Sequence, residues 1–284
     1  MITQAEHIQE REPIAAEQPW SPRTVAITAG KGGVGKTQIA ANLAVALAAL
    51  RRRVLLVDGN ANAGSAEMAL GISPEFDLDS VITGEKNVEE IICKGPAGIG
   101  FVRAFRNREG QRGRSGSAAA AAGSASLPPW QRERLARQFA ASAAEYDFVV
   151  LDVPAAALES RLLPLEPAET IIVTTPEPAA LADAYATVKT VVRREPAAQV
   201  KVLVNMAAGL ADAEAAYRAI ASVARRFLGV APGYAGYVPV DPAVLRACRR
   251  RAAFVREYGG EPAAAALRAL AWALCRAEPP RRGV

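Results

Sequence analysis

Two lysines, Lys31 and Lys36, stand five residues apart in a stretch dominated by glycine, Gly30-Lys-Gly-Gly-Val-Gly-Lys-Thr37. Glycines at this spacing let successive backbone N–H groups converge on an anion without Cβ clashes. A lysine and a threonine opening a helix add a mobile positive charge and a hydroxyl able to ligate Mg2+, where the helix dipole also favours an anion. That is the chemistry of gripping the β and γ phosphates of a nucleotide. The pattern G-x-x-x-x-G-K-[ST] is met in full. It makes Gly32, Gly33, Val34, Gly35, Lys36, Thr37 and Gln38 the candidate nucleotide-binding residues. Asp58 and Asp152 each close an apolar run, Val54-Leu-Leu-Val57 and Phe148-Val-Val-Leu151. Acids at strand ends beside a phosphate loop are placed to hold Mg2+ through water. Asp58 joins Thr37 as a candidate metal ligand, and Asp152 joins Lys36 as a candidate catalytic group.

The elements that must position these groups follow from hydropathy. Thr24–Thr28, Val54–Val57, Ile99–Val102, Phe148–Asp152, Thr170–Thr174, Val200–Asn205 and Tyr234–Val238 are short apolar runs without polar alternation. Such strands are covered on both faces. Gln38–Leu50, Trp130–Ala144, Pro178–Arg193, Ala211–Leu228 and Pro262–Arg276 have helical composition and lie between or after them. The alternation predicts an α/β, doubly wound, mostly parallel sheet with helices on both faces. The first 21 residues are polar and acidic, with a short helix expected at Gln4–Gln9, and read as a tail. Residues 22–278 form the expected P-loop domain. It is interrupted by a Gly/Ser/Ala/Arg-rich insertion at 107–129 expected to be flexible, and 279–284 are a second tail.

Composition narrows the class. Of 284 residues 51% are hydrophobic and 22% charged, which is globular and water-compatible. A net charge of +5 spread over this length argues against a nucleic-acid partner, which needs a concentrated patch. Six of the 34 basic residues are lysine, so two in one loop stand out. Cys93, Cys248 and Cys275 are isolated and odd in number, and His7 is the only histidine. These exclude a zinc site or a disulfide framework and fit a reducing cytoplasm. No signal segment or bilayer-long apolar run is present.

Lys31 sharpens the reading. The stretch Lys31-Gly-Gly-Val-Gly-Lys-Thr37 resembles the K-G-G-x-G-K-[ST] signature of the deviant Walker-A ATPases, the MinD/ParA family. The resemblance implies that Lys31 crosses an ATP-sandwich homodimer to the partner's nucleotide. Thr174-Thr-Pro-Glu-Pro-Ala-Ala-Leu-Ala-Asp-Ala-Tyr-Ala186 resembles the T-T-P-E-P-T-A-x-x-D-A-Y-A segment of the FlhG group, also called FleN or YlxH. Leu203-Val-Asn-Met206, Ala224-Arg-Arg-Phe-Leu-Gly229, Gly236-Tyr-Val-Pro-Val-Asp-Pro-Ala-Val244 and the helix-rich segment Leu78–Gly100 resemble further parts of that group. These proteins regulate the number and placement of bacterial flagella. The resemblance implies that Asn205 recognises adenine and that Pro239 and Asp241 border the base. Gln4-Ala5-Glu6-His7-Ile8 is similar to the group's activator helix, which implies an FlhF-like GTPase of the signal-recognition type as a partner. Basal-body components or a transcription activator of flagellar genes are the other implied partners.

The departures matter as much. The family reads D-x-D after its second strand, and its second Asp orients the attacking water. Here the segment is Asp58-Gly59-Asn60, which puts Asn60 at the catalytic position. An amide can orient water but cannot act as a carboxylate base. ATP binding and dimerisation are therefore expected to persist with slow hydrolysis, unless Asp58 or Glu67 compensates. Val153 replaces a small polar residue after Asp152. The C-terminal stripe Leu267, Leu270, Ala271, Leu274 and Cys275, beside Trp272, either packs on the sheet or meets an anionic membrane peripherally, at the inner membrane or pole. Arg246, Arg249, Arg250 and Arg251 are expected on a solvated helix face. A DNA-partitioning ATPase that uses those arginines, and a non-hydrolysing ATP-binding scaffold, are the competing functions.

Overall fold

The computed structural model describes residues 22–60, 65–103, 128–155 and 166–277. The N-terminal tail with Gln4, Ala5 and His7, nearly all of the expected insertion and the C-terminal tail lie outside the described residues. In chain order the elements are β1 (Arg23–Thr28), α1 (Lys36–Ala49), β2 (Val54–Asp58), α2 (Ser65–Leu70), α3 (Leu78–Ile82) and α4 (Val88–Ile91). Next come β3 (Cys93–Lys94), β4 (Gly100–Arg103), α5 (Pro129–Ala143), β5 (Phe148–Asp152), β6 (Glu169–Thr174) and α6 (Pro178–Arg194). The chain ends with β7 (Gln199–Ala207), α7 (Leu210–Leu228), β8 (Gly233–Pro239), α8 (Pro242–Arg250), α9 (Phe254–Glu257) and α10 (Pro262–Arg276).

The strands form one sheet in the order β3-β4-β2-β5-β1-β6-β7-β8. Only the β3–β4 pair is antiparallel, and the seven longer strands run parallel. The doubly wound expectation is met. Alternate residues of each strand serve opposite faces. Val25, Ile27, Leu56, Val150 and Ile171 pack with α1 and α10 on one face. On the other, Leu55, Val57 and Val149 meet α3 to α5, while Ile172, Val202 and Val204 meet α6 and α7.

Helix α1 explains its own composition. Every residue from Ile39 to Leu47 is buried, and its alanines allow close approach to the sheet and to α10. Asn42, fully buried, accepts the Val255 N–H at 3.1 Å and so joins α1 to α9. The C-terminal stripe packs inward: Leu267, Leu270, Ala271 and Leu274 are buried beside α1, and only Trp272 stands out of it. This face is therefore spent on the core, not left for a membrane. Short α2, α3, α4 and α9 and the two-residue β3 fall below the length at which sequence periodicity is readable. Helix α5 begins at Pro129, the last residue of the expected insertion.

At the other end of the sheet, Glu169 ties three strands. Its Oε2 lies 2.6 Å from Arg23 Nη2 and its Oε1 lies 2.8 Å from Lys201 Nζ. Arg23 also donates to the Leu274 carbonyl at 2.5 Å, which anchors the end of α10. Glu169 is 1% exposed. Glu169→Ala strands the Arg23 charge, and we expect a loss of about 3 kcal/mol in urea denaturation. A loss below about 1 kcal/mol would contradict this account of how the strands are tied.

Candidate nucleotide site

β1 stands at the centre of the sheet, between β5 and β6. The glycine loop leaves its carboxyl end and enters α1 at Lys36. That is the position where open α/β sheets bind ligands. Gly33 and Gly35 adopt φ of 84° and 86°, which the loop requires to turn its N–H groups toward one point. At Gly35 a Cβ would also overlap the Asn205 side-chain nitrogen. Asn205, at the end of β7, donates from Nδ2 to the Val34 carbonyl at 2.8 Å. It braces the loop, and its second N–H and its carbonyl oxygen are the groups left to meet a base.

Asp58 and Asp152 are register partners on adjacent strands. Both continue the residue alternation that faces α1. Asp152 is fully buried and Asp58 is 2% exposed. Lys36 Nζ donates to Asp152 Oδ1. The Gly59 N–H donates to the Asp152 carbonyl at 2.8 Å, and the Asn60 N–H to Asp58 Oδ1 at 3.0 Å. Asn60 thus stands beside the two acids, as its sequence position requires. The Asp58 carboxyl is pushed up to about 7, first by burial and then by the Asp152 carboxylate. The Asn60 N–H and Lys36 pull it down, and Glu67 adds to the upward push.

Two buried carboxyls with one lysine are short of positive charge. Asp152 Oδ2 is buried without a hydrogen-bond partner among the described residues. Thr37 opens α1 next to Lys36. Hard oxygen donors and an unmatched buried oxygen fit Mg2+. Among the described residues, no three His, Cys, Asp or Glu side chains are placed to hold a metal by themselves.

Lys31 points elsewhere. Its Nζ lies 2.8 Å from Glu177 Oε2, in the Thr-Thr-Pro-Glu-Pro segment. That contact raises the lysine pKa, by hydrogen bonding first and charge second. Both side chains are exposed, 38% and 67%. Gln38, in the first turn of α1, accepts from Asn42 through its carbonyl at 2.9 Å. Pro239 ends β8 at the same sheet edge as Asn205. Asp241 caps two helices, accepting the Ala243 N–H at 2.8 Å and the Ala263 N–H at 3.0 Å. Its carboxylate is thus committed to the fold as a structural cap. Glu67, considered as a substitute for the missing Asp, accepts from Arg103 Nε. The sequence reading missed Glu177 as the partner of Lys31. The Thr-Thr-Pro-Glu-Pro motif was the available signal.

Comparison with known proteins agrees with this geometry. The family of CobQ/CobB/MinD/ParA nucleotide binding domains (CbiA) matches residues 25–251. The antiactivator FleN of Pseudomonas aeruginosa is 31% identical over 250 residues, covering 88% of this chain and 85% of FleN. The flagellum site-determining protein YlxH of Helicobacter pylori is 28% identical over 202 residues, covering 71% and 64%. The septum site-determining protein MinD of Pyrococcus horikoshii, solved with Mg-ADP, superposes with a TM-score of 0.68 at 23% identity, covering 90% and 96%, a likeness of fold. With the glycine loop, both lysines and the paired acids in place, the chain belongs to the MinD/ParA family of nucleotide-binding domains and is FleN-like within it.

Proposed function

We propose that the chain is an ATP-dependent dimerising switch that controls flagellar number or placement and flagellar gene expression, with slow hydrolysis. The observation that carries this reading is the division of labour between the lysines. Lys36 is fixed inside the site on Asp152, whereas Lys31 lies outside it on an exposed glutamate. The names of the relatives, an antiactivator and a flagellum site-determining protein, support the biological setting.

The residues divide the work as follows. Loop N–H groups from Gly32 to Thr37 receive the phosphates, and Lys36 pairs with the β and γ oxygens as it leaves Asp152. Thr37 and Asp58 would hold Mg2+, which when bound supplies charge neutralisation at the phosphates. Lys31 must release Glu177 to reach a second copy, and an exposed pair of this kind offers little resistance. Asn205 presents its free amide groups to adenine, with Pro239 and Asp241 beside the base. Asn60 orients water without accepting its proton, which costs on the order of 10²–10⁴ in rate. The closed state is then long-lived, and its partners are an FlhF-like GTPase met through Gln4 and Ala5, a basal-body protein or a transcription activator. The setting is cytoplasmic, and among the described residues no helix is long and apolar enough to cross a membrane.

A second reading, DNA or cargo positioning, draws on the exposed arginines Arg246, Arg249, Arg250 and Arg251 on α8 and its cap. It requires DNA binding with a steep salt dependence that is lost when they are changed to glutamate.

Light scattering on the eluting protein tests the switch. With ATP and Mg2+ the 29.8 kDa chain should double in mass, and Lys31→Ala should stay monomeric while still binding ATP. A monomer under saturating ATP would contradict the proposal. A pH prediction follows from Asp58 in nucleotide-free, metal-free protein. Its folded pKa lies above the ordinary value, so the fold holds a proton that the unfolded chain releases. This contribution is present below about pH 4 and is lost as pH rises through about 7. Asp58→Asn should therefore gain about 2–4 kcal/mol on wild type between pH 4 and pH 8 in denaturant titrations. A constant difference across that range would contradict the assignment.

A further inference from the structure

Arg103 and Glu67 lie beside the site without belonging to the groups that grip nucleotide. Arg103 ends β4 as the register partner of Asp58. It follows Phe101 on the α1 face of the sheet and is 8% exposed. Its Nε donates to Glu67 Oε1, and its Nη2 reaches the Pro74 carbonyl at 3.4 Å. Glu67 sits in the first turn of α2, with its side chain 15% exposed.

Helix α2 has six residues and cannot hold itself. Among the described residues, three features hold it. Ala66, Ala69 and Leu70 join the core beside α1. At its far end Gly71 adopts φ 67°, and a Cβ there would overlap the Arg251 carbonyl at the cap of α8. At its near end the fixing contact is the Arg103–Glu67 pair. A buried ion pair adds little net stability over a well-packed apolar pair, because both charges lose water. Stability alone therefore does not account for it, and position does. Asn60 and Ser65, the first residue of α2, are separated in sequence by residues 61–64, which lie outside the described ones; the Gly59 N–H to the Asp152 carbonyl and the Asn60 N–H to Asp58 Oδ1 place the chain just before them.

We propose that Arg103 and Glu67 are positioning residues for hydrolysis: their ion pair pins the start of α2 to the end of β4 and so holds Gly59 and Asn60 against Asp152 and Asp58. The catalytic half of this statement rests on Asn60 as the water-orienting group. The positional half stands without it.

The test uses the full chain as wild type, Arg103→Met, Glu67→Met and the double variant. The double variant replaces the pair with two apolar side chains and leaves no stranded charge, so it keeps the fold where either single change could lose it. Amide hydrogen exchange is read first, without nucleotide. The Gly59 and Asn60 amides should exchange about tenfold faster in the double variant, with Val149–Leu151 in β5 unchanged. Single-turnover ATP hydrolysis should then fall about tenfold while ATP affinity moves by less than about twofold. Unchanged exchange at Gly59 and Asn60 would overturn the proposal. Faster exchange spreading into β5, or affinity falling in step with rate, would make the pair a general support of the fold and overturn it as well. Absence of any ATP binding in the wild type would count against the switch proposed above, and the exchange result would still decide the position of Asn60.

Discussion

The contact between Lys36 and Asp152, next to Asp58, is the interaction on which the site depends. Two carboxyls and one ammonium are gathered at the carboxyl ends of two adjacent strands, out of water. The charges do not balance, and the raised pKa of Asp58 is the resting answer to that imbalance. Such an arrangement needs a scaffold that keeps β2, β5 and β1 in register and seats the start of α1 directly above them. The sheet order supplies the register, and the alanine-rich α1, buried from Ile39 to Leu47, supplies the seat. Asn205, bonded to the Val34 carbonyl, stops the loop between them from shifting.

Three ion pairs near the site differ in exposure. Lys36 and Asp152 are buried and fixed. Glu67 and Arg103 are nearly buried and define where a short helix starts. Lys31 and Glu177 lie in solvent, where water screens their attraction. The proposed roles fit this division: an exposed lysine is free to reach a second copy, and a buried one stays inside the site. The arginines of α8 are solvated as expected of a charged helix face, and one of them, Arg246, stacks over Tyr258 and reaches Glu261.

The site was legible in the sequence where its chemistry is local. Glycine spacing, two lysines and a threonine fall within eight residues, and Asp58 and Asp152 each end a run of buried strand residues. The long strands were legible because both faces are covered, which removes polar residues from them. What escaped is non-local or too short to carry a period. Glu177 meets Lys31 across 146 positions, and Arg103 meets Glu67 across 36. Helices of four to six residues show no repeat. The apolar stripe of α10 was ambiguous in sequence because a core-facing and a membrane-facing stripe look alike, and only its packing against α1 decides between them. The position of Asp241 as a double helix cap shows only in three dimensions.

The central claim is that Asn60, standing where a carboxylate would position and deprotonate water, sets a slow switch. Single-turnover ATP hydrolysis by the wild type beside Asn60→Asp, each with its state of association recorded, tests it most directly. The account predicts a slow, dimeric wild type and a rate at least about tenfold higher in the Asp variant, with shorter-lived dimers. Equal rates in the two proteins would contradict it, and would mean that another group near Asp58 orients the water.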